Sequence, residues 1–475
     1  MQRFLIPTVA FFATVAQATV YHVAPPPAGD DRNPGTNSLP WATLHKAAAT
    51  LTAGDTVLVH GGTYRISEPI VPQNSGTSNA WITYQGIPGE TPVIDAGDAK
   101  SRRSRGGAFW IDDRSYIRIV NLRVVNSYSA GIMIQGGRPQ HIDVIGCATD
   151  RTFCPGIGVW NADYIRIISN EVTGANARDM NLSQRRIREA PHEAISSGGG
   201  THLEVAYNHV HHCHKEGIDI KEVSAHVDVH HNYVHDLPRQ GLYVDAWFGL
   251  LQNVEFHHNI VHDCEWGMAI SVEGRASRLE NLRVHHNLFY ANRASGIFFA
   301  RWGHDGPRAH IAIYNNTVVD CGRQGHWAGA TGGIDMKSPN VSDCLIMNNL
   351  CAGNARFQIA TFDNPGDAND LLAEQNIRIA YNLSDVFRSD SRETHYGPVY
   401  GLLGDNAVTG DPRFVNAGDH DYHLRKGSPA IDAGCPEARF NDPDGSTNDI
   451  GAFYFGGDDD DKARDKARDK AQESD

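Results

Sequence analysis

Short runs of alternating apolar and polar residues recur along the middle of the chain, in pairs that flank a single asparagine. They read VDVHHNYVHD at 227–236, VEFHHNIVHD at 254–263, RVHHNLFYAN at 283–292 and IAIYNNTVVD at 311–320. Side chains alternate across a strand, so a two-residue period predicts short β-strands; helices would space their apolar residues three and four apart. The asparagines fall at Asn170, Asn208, Asn232, Asn259, Asn287, Asn316, Asn349 and Asn382, in steps of 38, 24, 27, 28, 29, 33 and 33 residues. Such a period marks a solenoid whose repeats stack. Stacked coils bring equivalent amides to about 4.8 Å, where each can bond the next. The chain is therefore expected to be all-β, a right-handed parallel β-helix.

A second register is set by a glycine that opens another strand of each coil, in GIGVW, GIDIKE, GLYVDAW, GMAISVEGR, GIFFARW and GIDMKS, from Gly156, Gly217, Gly241, Gly267, Gly296 and Gly333. Positions one and three after the glycine are apolar and should point inward; two and four should point outward. The outward set contains Asp219, Lys221, Tyr243, Asp245, Asp335 and Lys337, with Glu273 and Arg301 just past their strands. Trp160, Trp247, Phe298 and Trp302 add aromatic surface. Carboxylates, cations and aromatic faces on one sheet are what a sugar-binding groove requires. A solvated charge ladder, with Lys221 simply paired to Asp245, is the plainer reading of any single residue.

The ends frame this body. Residues 1–18 combine a basic start, an apolar stretch over 4–15 and an A-x-A end, the pattern of a cleaved secretory signal, so a secreted or periplasmic protein is expected. The solenoid domain spans 19–456: a capping helix within 41–52, with a first strand at 55–60, coils over about 55–385, and a terminal coil and cap over 386–456. Residues 457–475 are acidic and then repeat KARD, which reads as a solvated tail. Residues 174–191 break the period and read as an insertion beside the binding face; His192-Glu193 opens the coil after it. The NDPDG turn at 441–445 reads as a tight turn rather than a calcium loop.

Net charge is −14, which disfavours a nucleic-acid partner, and no segment is apolar for long enough to span a bilayer. A monomer acting on a carbohydrate is expected. Eight cysteines are too few for a disulfide scaffold. Cys213, Cys264 and Cys321 each lie five residues after a ladder asparagine and should stack inside as thiols; Cys344 and Cys351 are a candidate pair across a turn. The histidine doublets 230–231, 257–258 and 285–286 should form columns, which do not converge as metal ligands must.

Hydrolysis of a glycosidic bond needs two carboxylates. Asp245 and Glu273 lie on adjacent coils, and the closeness of the coils leans towards the spacing of a retaining mechanism. Asp245 is the expected nucleophile, kept ionised by Lys221. Glu273, near Trp266 and Met268, is the expected acid/base. Asp219, Lys221, Tyr243, Trp247, Arg301, Trp302, Asp335 and Lys337 are the expected substrate contacts, with no metal or other cofactor required.

The segment PWATLHKAAATLTAGDTVLVHGGTYR at 40–65 resembles the opening of secreted β-helix carbohydrate-active enzymes, including pectate-lyase-like proteins. GIDIKEVSAHVDVHHNYVHDLPRQGLYVDAW at 217–247 resembles the active-site coils of the β-helical β-xylosidase family of retaining glycosidases. That resemblance implies Asp245 as nucleophile and Glu273 as the nearest equivalent of the acid/base, although Glu273 sits about two residues further from its glycine. The alternatives are a polysaccharide lyase or C5-epimerase and a non-catalytic glycan binder. A lyase would use Lys221, Arg301 or Lys337 as base, with Ca²⁺ on Asp219, Glu222 and Asp245.

Overall fold

A computed structural model describes residues 18–99, 106–177, 191–323, 332–363, 370–395 and 397–456. Most of the signal-like segment, the centre of the insertion and the charged tail lie outside these residues. Three long sheets of 13, 13 and 12 strands run the length of the molecule, and each coil from Ile82 to Thr361 gives one strand to each sheet. One coil, for example, contributes Ala225–His230 to the first sheet, Tyr233–His235 to the second and Gln240–Ala246 to the third. Pairing between successive coils is parallel and in register, as in Val227↔Val254 and Val229↔Phe256. The inward positions form one continuous core, and its Val, Ile, Leu and Phe side chains are almost fully buried.

The bend from the first sheet to the second explains the asparagine period. The residue before each ladder asparagine takes a left-handed backbone, with φ between 50° and 60° at His231, His258 and His286 among others. That single residue turns the chain sharply, and the asparagine side chain then lies along the stack. Asn232 Nδ2 donates to Asn259 Oδ1 at 2.9 Å, and the Asn232 backbone N–H donates to the same oxygen at 3.0 Å. The pattern continues without a break from Asn170 to Asn382. Each buried amide thus satisfies the coil on either side.

The cap helix covers Leu44–Thr50, with the Thr43 hydroxyl accepting from Lys46 N and Leu44, Ala47 and Ala48 buried. The first strand is Val20–Val23 rather than 55–60; it pairs with Thr56–Val59 and extends the first sheet by one edge. At the other end Gly397–Gly401 runs antiparallel to Phe357–Thr361 and closes the third sheet. The C-terminal segment folds back so that Tyr422, Ala452 and Phe453 pack on Tyr233, Ile260, Leu288 and Tyr290, outside the second sheet. Asp442 in the NDPDG segment accepts from Asn448 Nδ2 and Asp449 N, bonds that close a turn.

All eight cysteines are free and buried; Cys344 and Cys351 lie in different sheets and remain thiols. The histidine doublets do form columns, with ring centroids of His230, His257 and His285 at 4.9 and 5.2 Å. Replacing Asn259 by Ala strands the Asn232 amide and the Val229 carbonyl in the interior. At about 1–3 kcal/mol per buried group left unmet, Asn259→Ala should lose roughly 2–5 kcal/mol in a denaturant unfolding curve. A loss below about 1 kcal/mol would show that the ladder is incidental.

Candidate active site on the third sheet

The third sheet carries the site because its strands place alternate residues outward with little freedom. Ile218, Ile220, Leu242, Val244, Met268 and Ile270 enter the core, as the two-residue period requires. Asp219 then stands against Tyr243, Lys221 against Asp245, and Asp245 against Ser271. Glu273 is two residues beyond Ser271, so its backbone is about 8 Å from that of Asp245. The opening glycines are needed for contact between coils. A Cβ on Gly217 would come 2.4 Å from the Gly241 carbonyl oxygen, and one on Gly267 would come 2.5 Å from that of Gly296.

These strands floor a cleft of about 870 Å³. Lys221, Tyr243, Asp245 and Glu273 line its base; Trp160, His192, Glu193 and Lys215 form one side, and Trp247 and Phe248 stand at the mouth. The Tyr243 hydroxyl donates to Glu273 Oε1 at 2.5 Å, and Ser271 Oγ donates to the same oxygen at 3.1 Å. Trp247 Nε1 donates to Asp245 Oδ2 at 2.5 Å, while Asp245 Oδ1 is buried without a hydrogen bond. Lys221 Nζ lies 3.0 Å from Asp219 Oδ2 and 3.1 Å from Glu193 Oε1. Glu193 also accepts from Ser196 Oγ at 2.7 Å.

Burial sets the charge states. It pushes the Asp245 carboxyl up to about 8, and the negative charge of Glu273 adds to this against the opposing pull of Lys221 and Trp247. Asp219 is raised well above the carboxylate range, chiefly by burial, despite Lys221. Burial also acts to raise Glu193, but Lys221, Lys215 and His192 outweigh it and hold the carboxylate well below its usual range. Lys221 suffers desolvation too, yet Asp219, Glu193 and Asp245 keep its ammonium form well past the normal range. The cluster therefore reads as Lys221 cationic and Glu193 anionic, with Asp219 and Asp245 keeping their protons, so that Glu193 is the charge that holds the Lys221 ammonium in that state. Burial takes His192 down to about 4 and Glu222 up to about 7.

The expected outward residues do share a sheet face, but that face is covered rather than solvated. Asp219 is fully buried beneath Lys221 and does not line the cleft. Lys221 pairs with Asp219 and Glu193, so the direct pairing with Asp245 is not found. The groups against Glu273 are Tyr243 and Ser271, since Met268 points into the core. Besides Asp219, four more expected contacts fall outside the cleft. Arg301 lies 3.6 Å from Asp305, and Trp302 packs edge-on against Tyr243 and Trp266. Asp335, on the strand Gly332–Met336 two coils beyond that of Glu273, and Lys337, just past that strand, form their own buried pair at 3.2 Å.

Sequence reading passed over Lys215, Glu216 and Arg239, which join Glu193 in the cleft wall. Lys215 Nζ donates to the His192 carbonyl at 2.9 Å, and Arg239 Nη1 lies 2.9 Å from Glu216 Oε1. Their signal was present. Charged residues stand one or two places before Gly217 and Gly241, where each coil turns into the third sheet.

The folded state retains the Asp245 proton from the ordinary value of 3.8 up to about 8. That carboxyl therefore favours folding below pH 3.8 and loses its contribution as pH rises through 8. Asp245→Asn, which cannot ionise, should gain stability relative to the parent between about pH 4 and about pH 9 in paired thermal melts. A constant difference across that window would contradict the raised carboxyl.

Comparison with known proteins agrees with this architecture. Residues 21–172 match the family model for a Pel9A-like right-handed β-helix region, and residues 103–289 match that for a right-handed β-helix region. Pectate lyase PEL9 of Emericella nidulans is 30% identical over 126 residues, a stretch covering 25% of this chain and 30% of that protein's length. The uncharacterised protein YwoF of Bacillus subtilis is 23% identical over 447 residues, 85% of this chain and 91% of that one. Among solved structures, pectate lyase Pel9A superposes with a TM-score of 0.52 at 15% identity, over 93% of this chain and 97% of its own. The complex of XylC with xylose gives 0.49 at 14% identity, over 83% and 87%. The chain is a right-handed parallel β-helix, and its N-terminal third matches the Pel9A-like model of that fold.

Proposed function

We propose that the protein is an exported carbohydrate-active enzyme that hydrolyses glycosidic bonds of a neutral or weakly charged poly- or oligosaccharide. The observation that carries this reading is the pair of carboxyl groups in one cleft with unlike surroundings. Asp245 keeps its proton to about 8 and has an unengaged oxygen, as a general acid needs. Glu273 receives two hydroxyl hydrogen bonds on one oxygen, the setting of an anion that attacks the sugar or activates water. The geometry thus favours the reverse of the roles implied by the β-xylosidase resemblance. Trp160, Trp247 and Phe248 supply apolar faces on which sugar rings can stack.

The cleft's charge bears on the substrate. Asp112, Glu193, Glu216 and Glu273 line it with Glu222, raised to about 7, and the protonated Asp245, against Lys215, Lys221 and Arg239, and each of those cations already faces a carboxylate. A polyanion would therefore find these cations already engaged by the protein's own carboxylates.

A second reading, elimination from a uronic-acid polymer, is favoured by the local identity to a pectate lyase. Against it, Lys221 is held as a cation between Asp219 and Glu193 and cannot accept a proton as it stands. Among the described residues, Asp219, Glu222 and Asp245 do not form a group whose oxygens converge within 4.8 Å, so these residues do not fit a calcium cage.

Incubation with a panel of neutral and uronic-acid polysaccharides, followed by mass spectrometry, tests the proposal. Products should gain one water from a neutral glycan; products with a C4–C5 double bond would overturn it. Asp245→Asn and Glu273→Gln should each lower turnover by about 10²–10⁴-fold. Full turnover in either variant would remove that residue from the chemistry.

A further inference from the structure

A second cluster lies away from the cleft, on the outer side of the second sheet. His209 and His211 flank core residue Val210 on one strand, so both point outward. The next coil sets His235 directly beside His211. One ring nitrogen from each of the three histidines lies within 4.8 Å of the other two, and His209 Nε2 is 2.8 Å from His235 Nε2.

The outer hydrogen bonds orient these rings. His235 Nδ1 is 2.6 Å from Asp236 Oδ2; a carboxylate only accepts, so Nδ1 carries the proton and Nε2 presents its lone pair to the cluster. His211 Nδ1 is engaged by His212 Nδ1 at 2.7 Å. Its Nε2 is buried without a well-formed hydrogen bond, 3.5 Å from the Glu171 carboxylate on the preceding coil. The histidine column on the first sheet differs in this respect. There the Nε2 atoms of His257 and His285 already meet Asp228 at 3.0 Å and Glu255 at 2.8 Å.

We propose that His209, His211 and His235 form a three-histidine binding site for a divalent first-row transition-metal ion of the zinc type, with water as the fourth ligand. Imidazole donors suit such an ion, and a ligand histidine held through its other nitrogen by a carboxylate is the usual supporting arrangement. Zinc–nitrogen bonds of about 2.0–2.1 Å place tetrahedral ligand atoms about 3.3 Å apart. The ion takes the place of the proton that His209 Nε2 now donates to His235 Nε2; that proton moves through solvent to His209 Nδ1, so both rings ligate as neutral imidazoles. Bound there, it ties together two consecutive coils, which lead into Lys221 and Asp245.

The test uses the full chain, stripped with a chelator and desalted, then titrated with Zn²⁺ by calorimetry and with Co²⁺ by visible absorption. One ion per chain should bind, with tetrahedral Co²⁺ bands, and should raise the melting temperature. His209→Ala, at a half-exposed position that tolerates truncation, should weaken binding by at least about 10–100-fold, and His235→Ala should do the same. His257→Ala in the other column should leave binding unchanged. The proposal fails if no saturable binding occurs below millimolar Zn²⁺, or if stoichiometric binding survives His209→Ala.

Discussion

Parallel stacking in exact register is the constraint on which everything else in this molecule depends. Coils about 4.8 Å apart leave no choice of neighbour: each outward residue sits against the equivalent residue of the coils above and below. The buried asparagine ladder holds that register, because sliding one coil by a residue would break two hydrogen bonds at each step. Chemistry on such a scaffold is arranged in rows. Asp219 faces Tyr243 and Lys221 faces Asp245 as a direct result of the pairing.

The same rigidity makes the buried charges consequential. Glu193 and Asp245 are both removed from water, yet they end in opposite states. Glu193 has Lys221 and Lys215 close by and remains an anion. Asp245 has Glu273 for a neighbour and only a weaker share of Lys221, so burial prevails and its carboxyl rises to about 8. Desolvation is comparable in kind at both positions; the number of nearby cations decides the outcome.

Much of this was legible in the chain. The Asn period, the inward residues after each glycine and the helix around Leu44 follow from local pattern, and local pattern is what a solenoid repeats. Other features depend on contacts between distant positions. Lys221 finds Glu193 across 28 residues, at a position just after the period-breaking insertion, so its partner could not be read from the GIDIK segment. Trp302, Asp335 and Lys337 share the sheet face but lie one or two coils beyond the cleft, because alternation gives the face and not the distance along the axis. The opening strand at Val20–Val23 was missed because its partner lies beyond the cap helix.

The central claim is that the cleft is built around a carboxyl group that stays protonated at neutral pH. The most direct measurement is a ¹³C NMR titration of protein labelled at aspartate carboxyl carbons, with Asp245→Asn used to assign the Asp245 signal. The account predicts a midpoint near 8 for that carbon. A midpoint near the ordinary aspartate value of about 4 would contradict it and return Asp245 to the role of an ionised nucleophile.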